Sequence, residues 1–223
     1  MLFRSDILGQ LGQILAQQGK PDEAENLIRE LLATAKRVRG EADPVVAERL
    51  NNLARWQQDH GKVEEAEVMM LEALAMRKKL LGEDHVDVTD SLSCLGQLYG
   101  NQGNYAEAEK LFRQAVAIEK KRPGSQPRRI INLISDLLLV LKRQENYAAT
   151  EPVMLEGNDL VQQSPETSSD EKRAWLEKLR SFYIDWAVAA PGTGKMAKAA
   201  EWGEKLAAFD ELSLQSKPDT KSK

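Results

Sequence analysis

The sequence predicts an all-α solenoid of about five helix pairs, and three observations predict it. The composition favours helix: Ala, Leu, Glu, Lys and Gln dominate, with 42% apolar, 30% charged and only 5% aromatic residues. Those side chains lose little rotamer freedom in a helix. Small-residue and glycine markers recur along the 223 residues at one fixed period, the signature of a repeat array. Within each recurrence the apolar residues fall at i, i+3, i+4 and i+7, one face of a helix. The expected pairs span about 5–39, 45–81, 87–122, 128–163 and 171–209.

The period is 42 residues, set by three sets of markers. Gly19, Gly61 and Gly103 keep it, as do Gly40, Gly82 and Gly124. Ala24, Ala66 and Ala108 keep it too, each followed by a glutamate, Glu25, Glu67 and Glu109. A fourth copy is eroded: Asn146-Tyr147-Ala148 repeats Asn104-Tyr105-Ala106, Thr150 replaces the alanine and Glu151 repeats the glutamate. A fifth carries Gly194-Lys195-Met196 and Ala199. From Thr150 to Ala199 is 49 residues, seven more than the period. The polar stretch 164–170, from Ser164 to Asp170, is expected to hold these seven as an inserted loop. The polar end of the chain, 210–223 with Pro218, is expected to be a disordered tail.

Helical spacing repeats inside the copies. Leu92, Leu95, Gly96 and Tyr99 form one face, and Ala108, Leu111, Phe112, Ala115 and Val116 form the next. Leu50, Leu53 and Ala54 precede Ala66, Met70 and Ala73 in the same way. In the last copy Tyr183, Trp186, Ala187 and Ala190 precede Met196, Ala199 and Leu206. Gly12, Ala54 and Gly96 on first helices, facing Ala24, Ala66 and Ala108 on second helices, allow close approach; a large side chain there would wedge the pair apart. Lys36-Arg37, Lys78-Lys79 and Lys120-Lys121 near the second helix ends complement the negative end of the helix dipole.

These residues resemble the tetratricopeptide repeat, whose pattern is a large residue, L-G-x-x-Y, then A-x-x-x-F. Leu92, Leu95-Gly96, Tyr99, Ala108 and Phe112 carry the match. The family's usual period is about 34 residues. The longer step is similar to the kinesin-light-chain type, as are Leu50-Asn51-Asn52-Leu53-Ala54 and Leu81-Gly82-Glu83-Asp84-His85. The resemblance implies a right-handed α-α superhelix. A narrower likeness, in Glu151-Pro152-Val153-Met154-Leu155-Glu156-Gly157 and Ala199-Ala200-Glu201-Trp202, is to the repeats that trail bacterial Ser/Thr protein kinases. That likeness implies a non-catalytic regulatory C-terminal region. The array is already under way by Leu8, as expected of a piece of a longer protein.

No residue set suggests catalysis, and the chain is not expected to be an enzyme. Pro191-Gly192-Thr193-Gly194-Lys195 mimics a phosphate loop, but Ala189 stands where its first glycine belongs and Met196 where its hydroxyl belongs. The segment aligns instead with the turns at Gly61 and Gly103. His60, His85 and the single Cys94 lack metal-site spacing. Glu64-Glu65 and Glu23 with Glu25 suit the first turn of a helix. No cofactor or metal is expected.

A net charge of −4 with both signs interspersed argues against nucleic-acid partners and anionic membranes. The longest apolar run, Leu137 to Leu141, is far too short to span a membrane. One cysteine permits no internal disulfide, and a cytoplasmic location is expected. Stacked pairs build a concave face, which in the family is lined by first helices. The expected function is therefore a scaffold that binds a protein or extended peptide, with no small-molecule substrate. Carried over from the family, the contact positions are Asn51, Asn52 and Arg55; Asp90, Ser93, Gln97 and Asn101; and Asn132, Ser135, Asp136, Lys142 and Arg143. Amides there can both donate to and accept from a peptide backbone. The family's carboxylate clamp of Lys, Asn and Arg is missing, so no capture of a chain terminus is expected.

Overall fold

The computed structural model describes residues 14–15 and 18–215. Gly12 and the expected first helix from residue 5, apart from the helical residues 14–15, lie outside the described residues. Nine helices are complete among the described residues: α1 Pro21–Arg39, α2 Pro44–Asp59, α3 Val63–Leu81, α4 Val86–Asn101, α5 Tyr105–Lys121, α6 Pro127–Arg143, α7 Tyr147–Gln163, α8 Ser169–Ala189 and α9 Lys195–Gln215. Among the described residues there is no strand, and no helix is long and apolar enough to cross a membrane. The helices fall into two compact units, one ending at Gly124 and one beginning at Ser125.

Local chemistry starts these helices where they start. Pro21, Pro44 and Pro127 sit in first turns, where the missing N–H costs nothing. Asp43 Oδ1 accepts from the Val45 amide at 2.8 Å. Asn146 Oδ1 accepts from Ala149 at 3.1 Å. Ser168 and Glu171 form a reciprocal capping box on α8.

The turns after α2, α4 and α6 share one hydrogen-bond pattern. Lys62 N donates to Gln57 O at 2.8 Å, Asn104 N to Tyr99 O at 2.8 Å and Asn146 N to Leu141 O at 3.3 Å. This six-residue closure needs a left-handed residue just before the donor. Gly61 and Gly103 supply it at φ 78° and 79°. In the eroded fourth copy Glu145 occupies that place at φ 54°. A side chain in this region costs about 1–2 kcal/mol. Glu145→Gly is therefore expected to raise the stability of the second unit by about 0.5–1 kcal/mol, after the extra unfolded-state entropy of glycine is counted. A lowered urea midpoint would contradict the strain.

Burial in the first unit follows the small-residue register. Ala24, Ala66, Ala108 and Ala54 are fully buried. One core cluster joins Ala24 and Ile28 of α1 to Leu53 and Trp56 of α2. A second joins Ala54, Ala66 and Met70 to Leu95 and Leu98 of α4. A Cβ added at Gly96 would lie 2.9 Å from the Phe112 ring, so α4 and α5 meet where only glycine fits. In the second unit Thr150 and Ala199 are buried in the place of those alanines. Its tightest contact has moved: a Cβ at Gly157 of α7 would lie 2.5 Å from Trp175 of α8 and 2.9 Å from Ile134 of α6.

Three expectations need correction. The seven extra residues are not a loop at 164–170. The linker 164–168 is as short as its counterparts, Ser164 and Thr167 in it are buried, and Ser169 and Asp170 already belong to α8. The insertion lies instead in α8, which has 21 residues against 16 in α4 and 17 in α6, and in the turn 190–194. In the added turn Trp186 packs on the Tyr147 ring, while Val188 is exposed. The tail is also misplaced: 210–215 continue α9, held by the Arg173 guanidinium, which donates to Asp210 at 2.7 Å. Residues 216–223 lie outside the described residues. Finally, Met196 is 56% exposed and not part of the core.

Candidate functional site

Two Tyr–Glu pairs tie successive helix pairs together. Tyr99 Oη donates to Glu67 Oε1 at 2.7 Å in the first unit, and Tyr183 Oη donates to Glu151 Oε1 at 2.7 Å in the second. Both links span 32 residues, so they are one device used twice, built from the repeat's tyrosine and the glutamate after its small residue. Hydrogen bonding to Glu67 and burial push the Tyr99 hydroxyl up to about 12. Burial and the Glu151 carboxylate push the Tyr183 hydroxyl up as well.

Glu151 is the hub of the second unit. It also accepts from Lys198 at 2.7 Å and from Lys195 at 3.3 Å. Burial pushes its carboxyl up, but Lys198, Tyr183 and Lys195 outweigh this and hold it at about 2, against an ordinary 4.5. A lowered folded pKa contributes stability that is present above the unfolded value and lost as pH falls through the folded one. The second unit is thus expected to weaken between about pH 4.5 and 2, and Glu151→Gln to flatten that part of the profile. Acid unfolding followed by circular dichroism checks this; identical profiles for the two proteins would refute it.

The same contacts decide the phosphate-loop mimic. Pro191 to Gly194 follow helix α8, not a strand. The Lys195 ammonium lies 3.4 Å from the centroid of the Trp186 ring and pairs with Glu151. A cation so placed is held by the ring quadrupole and a carboxylate. Trp186 in turn stacks on Tyr147 at 5.9 Å and on Tyr183 at 6.4 Å. Lys195 is therefore a packing residue of the last pair. His60 donates to Trp56 O at 2.8 Å and stacks on its ring, while His85 caps α4. Burial raises the Cys94 thiol, the reverse of an activated nucleophile. Among the described residues no three His, Cys, Asp or Glu side chains gather as metal ligands.

The residues expected at the partner face divide between the units. In the first, Arg55, Asp90, Gln97 and Asn101 are exposed on α2 and α4, and Asn52 and Ser93 are half-buried. Asn51 is a correction: it is 5% exposed, and its amide donates to Ser91 Oγ at 3.1 Å. The same oxygen accepts from the buried Arg77 at 2.8 Å. Asn51 faces inward because its neighbour on α4 is a hydroxyl buried between helices. In the second unit Asn132, Lys142 and Arg143 are exposed, and Ser135 and Asp136 are half-buried.

Of these, Ser135 and Lys142 come together, on the wall of a groove of about 430 Å³. Its walls are α6 and α8, and Tyr147, Thr150 and Met154 of α7 line it too. The two wall helices run in the same direction. Arg128 and Glu171 pair at their starts, and Tyr147, just past the end of α6, packs on Phe182 and Trp186 late in α8. Leu138, Leu141, Met154 and Phe182 form an apolar floor, and Lys142, Glu145, Lys178, Ser181 and Asp185 add polar groups. The α8 residues were missed by the sequence reading, although one period added to Asp136 and Arg143 lands on Lys178 and Asp185.

Comparison with known proteins agrees with this architecture. The family model described as tetratricopeptide repeat matches residues 3–79 and 61–121. No curated protein sequence matches. Among solved structures, a Podosopora anserina chain described as a kinesin light chain of nearly identical TPR-like repeats is 21% identical with a TM-score of 0.73, over 96% of this chain and 98% of that one. BtubC (BKLC) from P. vanneervenii is 16% identical with a TM-score of 0.77, over 98% of this chain and 84% of that one. Aspartyl phosphate phosphatase F from Bacillus subtilis is 15% identical with a TM-score of 0.60, over 92% of this chain and 50% of that one. At these identities the likeness shows the fold alone, but the two family matches together cover more than half of the sequence. With its 42-residue period and its paired helices, the chain belongs to the tetratricopeptide repeat family.

Proposed function

We propose that this chain is a non-catalytic scaffold that binds a protein or an extended peptide on faces lined by the first helices of its pairs. The groove between α6 and α8 carries this reading: an apolar floor with hydroxyls and both signs of charge around it is the usual composition of a recognition site. Ser135 Oγ already donates its proton to Ile131 O at 2.9 Å, so its lone pairs are left to accept a peptide N–H. In the first unit Arg55 and Asn101 are exposed on α2 and α4 and offer donors and acceptors of the same kind.

Affinity capture from the native host, read by mass spectrometry, tests the proposal when paired with a blocked chain. Ser135→Arg with Ser181→Arg is expected to fill the groove and to lose a defined set of captured proteins while circular dichroism stays unchanged. Equal capture by both chains would remove the groove from the binding face. No capture above an unrelated helical control would end the scaffold reading.

A further inference from the structure

The ion pair between Arg128 and Glu171 fixes how the two walls of the groove stand against each other. Its partners are 43 positions apart in the chain, and α6 and α8 run the same way, so each α6 residue faces the α8 residue 43 positions on. Ser135 therefore faces Lys178, Leu138 faces Ser181 and Lys142 faces Asp185, and all six line the groove. At each end of this ladder one wall carries a donor and the other an acceptor. At one end Lys178 donates and Ser135 accepts, its own proton being used on Ile131 O. At the other end Lys142 donates and Asp185 accepts. The two facing pairs are of opposite hand: the donor lies on α8 in the first and on α6 in the second. Although they face each other, Lys142 and Asp185 make no ion pair or side-chain hydrogen bond among the described residues. Lys178 lies only near the Trp175 ring, at 5.0 Å. Elsewhere the helices pair such charges readily, as Arg29 does with Glu25 at 2.6 Å and Arg113 with Glu109 at 2.7 Å.

We infer that this groove clamps the main chain of an extended peptide at two peptide bonds three residues apart, whatever its charged side chains, with apolar side chains of the peptide against the floor. The inference rests on the scaffold reading above and specifies how its ligand is held. A trans peptide bond is planar and points its C=O and its N–H in opposite directions. A donor on one wall and an acceptor on the other therefore match one peptide bond lying across the groove. Successive carbonyls of an extended chain point to alternate sides. Two peptide bonds of opposite hand are thus an odd number of residues apart. The two facing pairs are seven helical positions apart, about 10 Å at 1.5 Å per residue. An extended chain advances about 3.3 Å per residue, so it crosses that distance in about three residues, the odd number that the reversal requires. At one peptide bond the N–H donates to Ser135 Oγ and the C=O accepts from Lys178. At the other the N–H donates to the Asp185 carboxylate and the C=O accepts from Lys142. Side chains of the peptide alternate between floor and solvent, and only those that meet Leu138, Met154 and Phe182 are selected, for apolar character.

A random decapeptide phage-display library, panned on the full chain, supplies the probe. Enriched peptides are expected to share apolar residues at alternate positions and no common charged residue. In synthetic copies of the leading peptide each amide is replaced in turn by an ester, which removes one N–H. Two replacements, three residues apart, are expected to weaken binding about tenfold, and the others little. On the chain carrying Asp185→Leu one of these two losses is expected to vanish. On the chain carrying Asp185→Asn, which keeps an acceptor, both are expected to persist, with unchanged circular dichroism in each case. Small uniform losses along the peptide, or the same two losses on the Asp185→Leu chain, overturn the main-chain clamp and leave the groove as a peptide site read through side chains. Peptides that still bind the Ser135→Arg, Ser181→Arg chain overturn the clamp and leave a scaffold with its site elsewhere. No enrichment at all also overturns the clamp, and the affinity capture above then decides the scaffold reading by itself.

Discussion

Phe112→Ala is expected to destabilise the first unit by about 3–5 kcal/mol, the usual range for removing a buried aromatic ring. Phe112 is 1% exposed, and its ring fills the space that Gly96 leaves open on α4. The pair is coupled, and the coupling can be measured. Gly96→Ala alone would bring a methyl to 2.9–3.1 Å of three ring carbons, an overpacking cost of about 1–3 kcal/mol partly offset by about 1 kcal/mol of helix propensity. In the Phe112→Ala background the same methyl enters vacated space, so Gly96→Ala should cost nothing or recover stability. Urea denaturation of the two single variants and the double variant reads the interaction energy directly. Simple additivity would show that the ring and the glycine do not set each other's position.

The second large effect is expected at Gly157, where three helices converge. Gly157→Leu should cost about 3 kcal/mol or more, because both facing side chains are immobile. Trp175 is 5% exposed and Ile134 is 1% exposed, so neither can swing into solvent without opening its own contacts. Tryptophan fluorescence should shift to the red as Trp175 is displaced, and amide exchange should rise in α6, α7 and α8. Native fluorescence with an unchanged denaturation midpoint would show that the backbone can move apart at this point at little cost. The groove lies on the same three helices, so this variant is also expected to lose peptide binding, unlike Gly96→Ala in the first unit.

How much was legible in the sequence differed from repeat to repeat. Where the markers are intact, at Ala24, Ala66, Ala108 and Gly96, period and chemistry agree, and the pairing of helices follows from one line of residues. Where they erode, the reading drifts. Glu145 gives no sign of taking a left-handed conformation, because its neighbours and not its own preferences impose it. The polar stretch from Ser164 to Asp170 looks like a loop by composition, yet Ser168 and Glu171 are the cap of a helix. The inserted turn hides in α8 because Phe182, Tyr183 and Trp186 keep helical spacing whether the helix is long or short.

The partner face shows the same limit. First helices could be named from the repeat, and most of the positions carried over onto them are exposed or half-buried. Asn51 could not be placed, because its orientation depends on Ser91 and Arg77, which lie 40 and 26 residues away in the chain. Lys178 and Asp185 stand one period after Asp136 and Arg143 with the charge reversed, because exposed positions are free to change type while buried ones are held by packing.

Secondary structure, period and the small-residue contacts were determined by the sequence itself, since helical spacing and side-chain volume act over a few residues and repeat without reference to the rest of the chain. Only the tertiary structure decided which tyrosine meets which glutamate, that Lys195 lies on Trp186, and that four charges surround one groove. Those facts depend on how far each helix is rotated and advanced against its neighbour, and that is settled by the packing of whole side chains between helices rather than by any property of a single one.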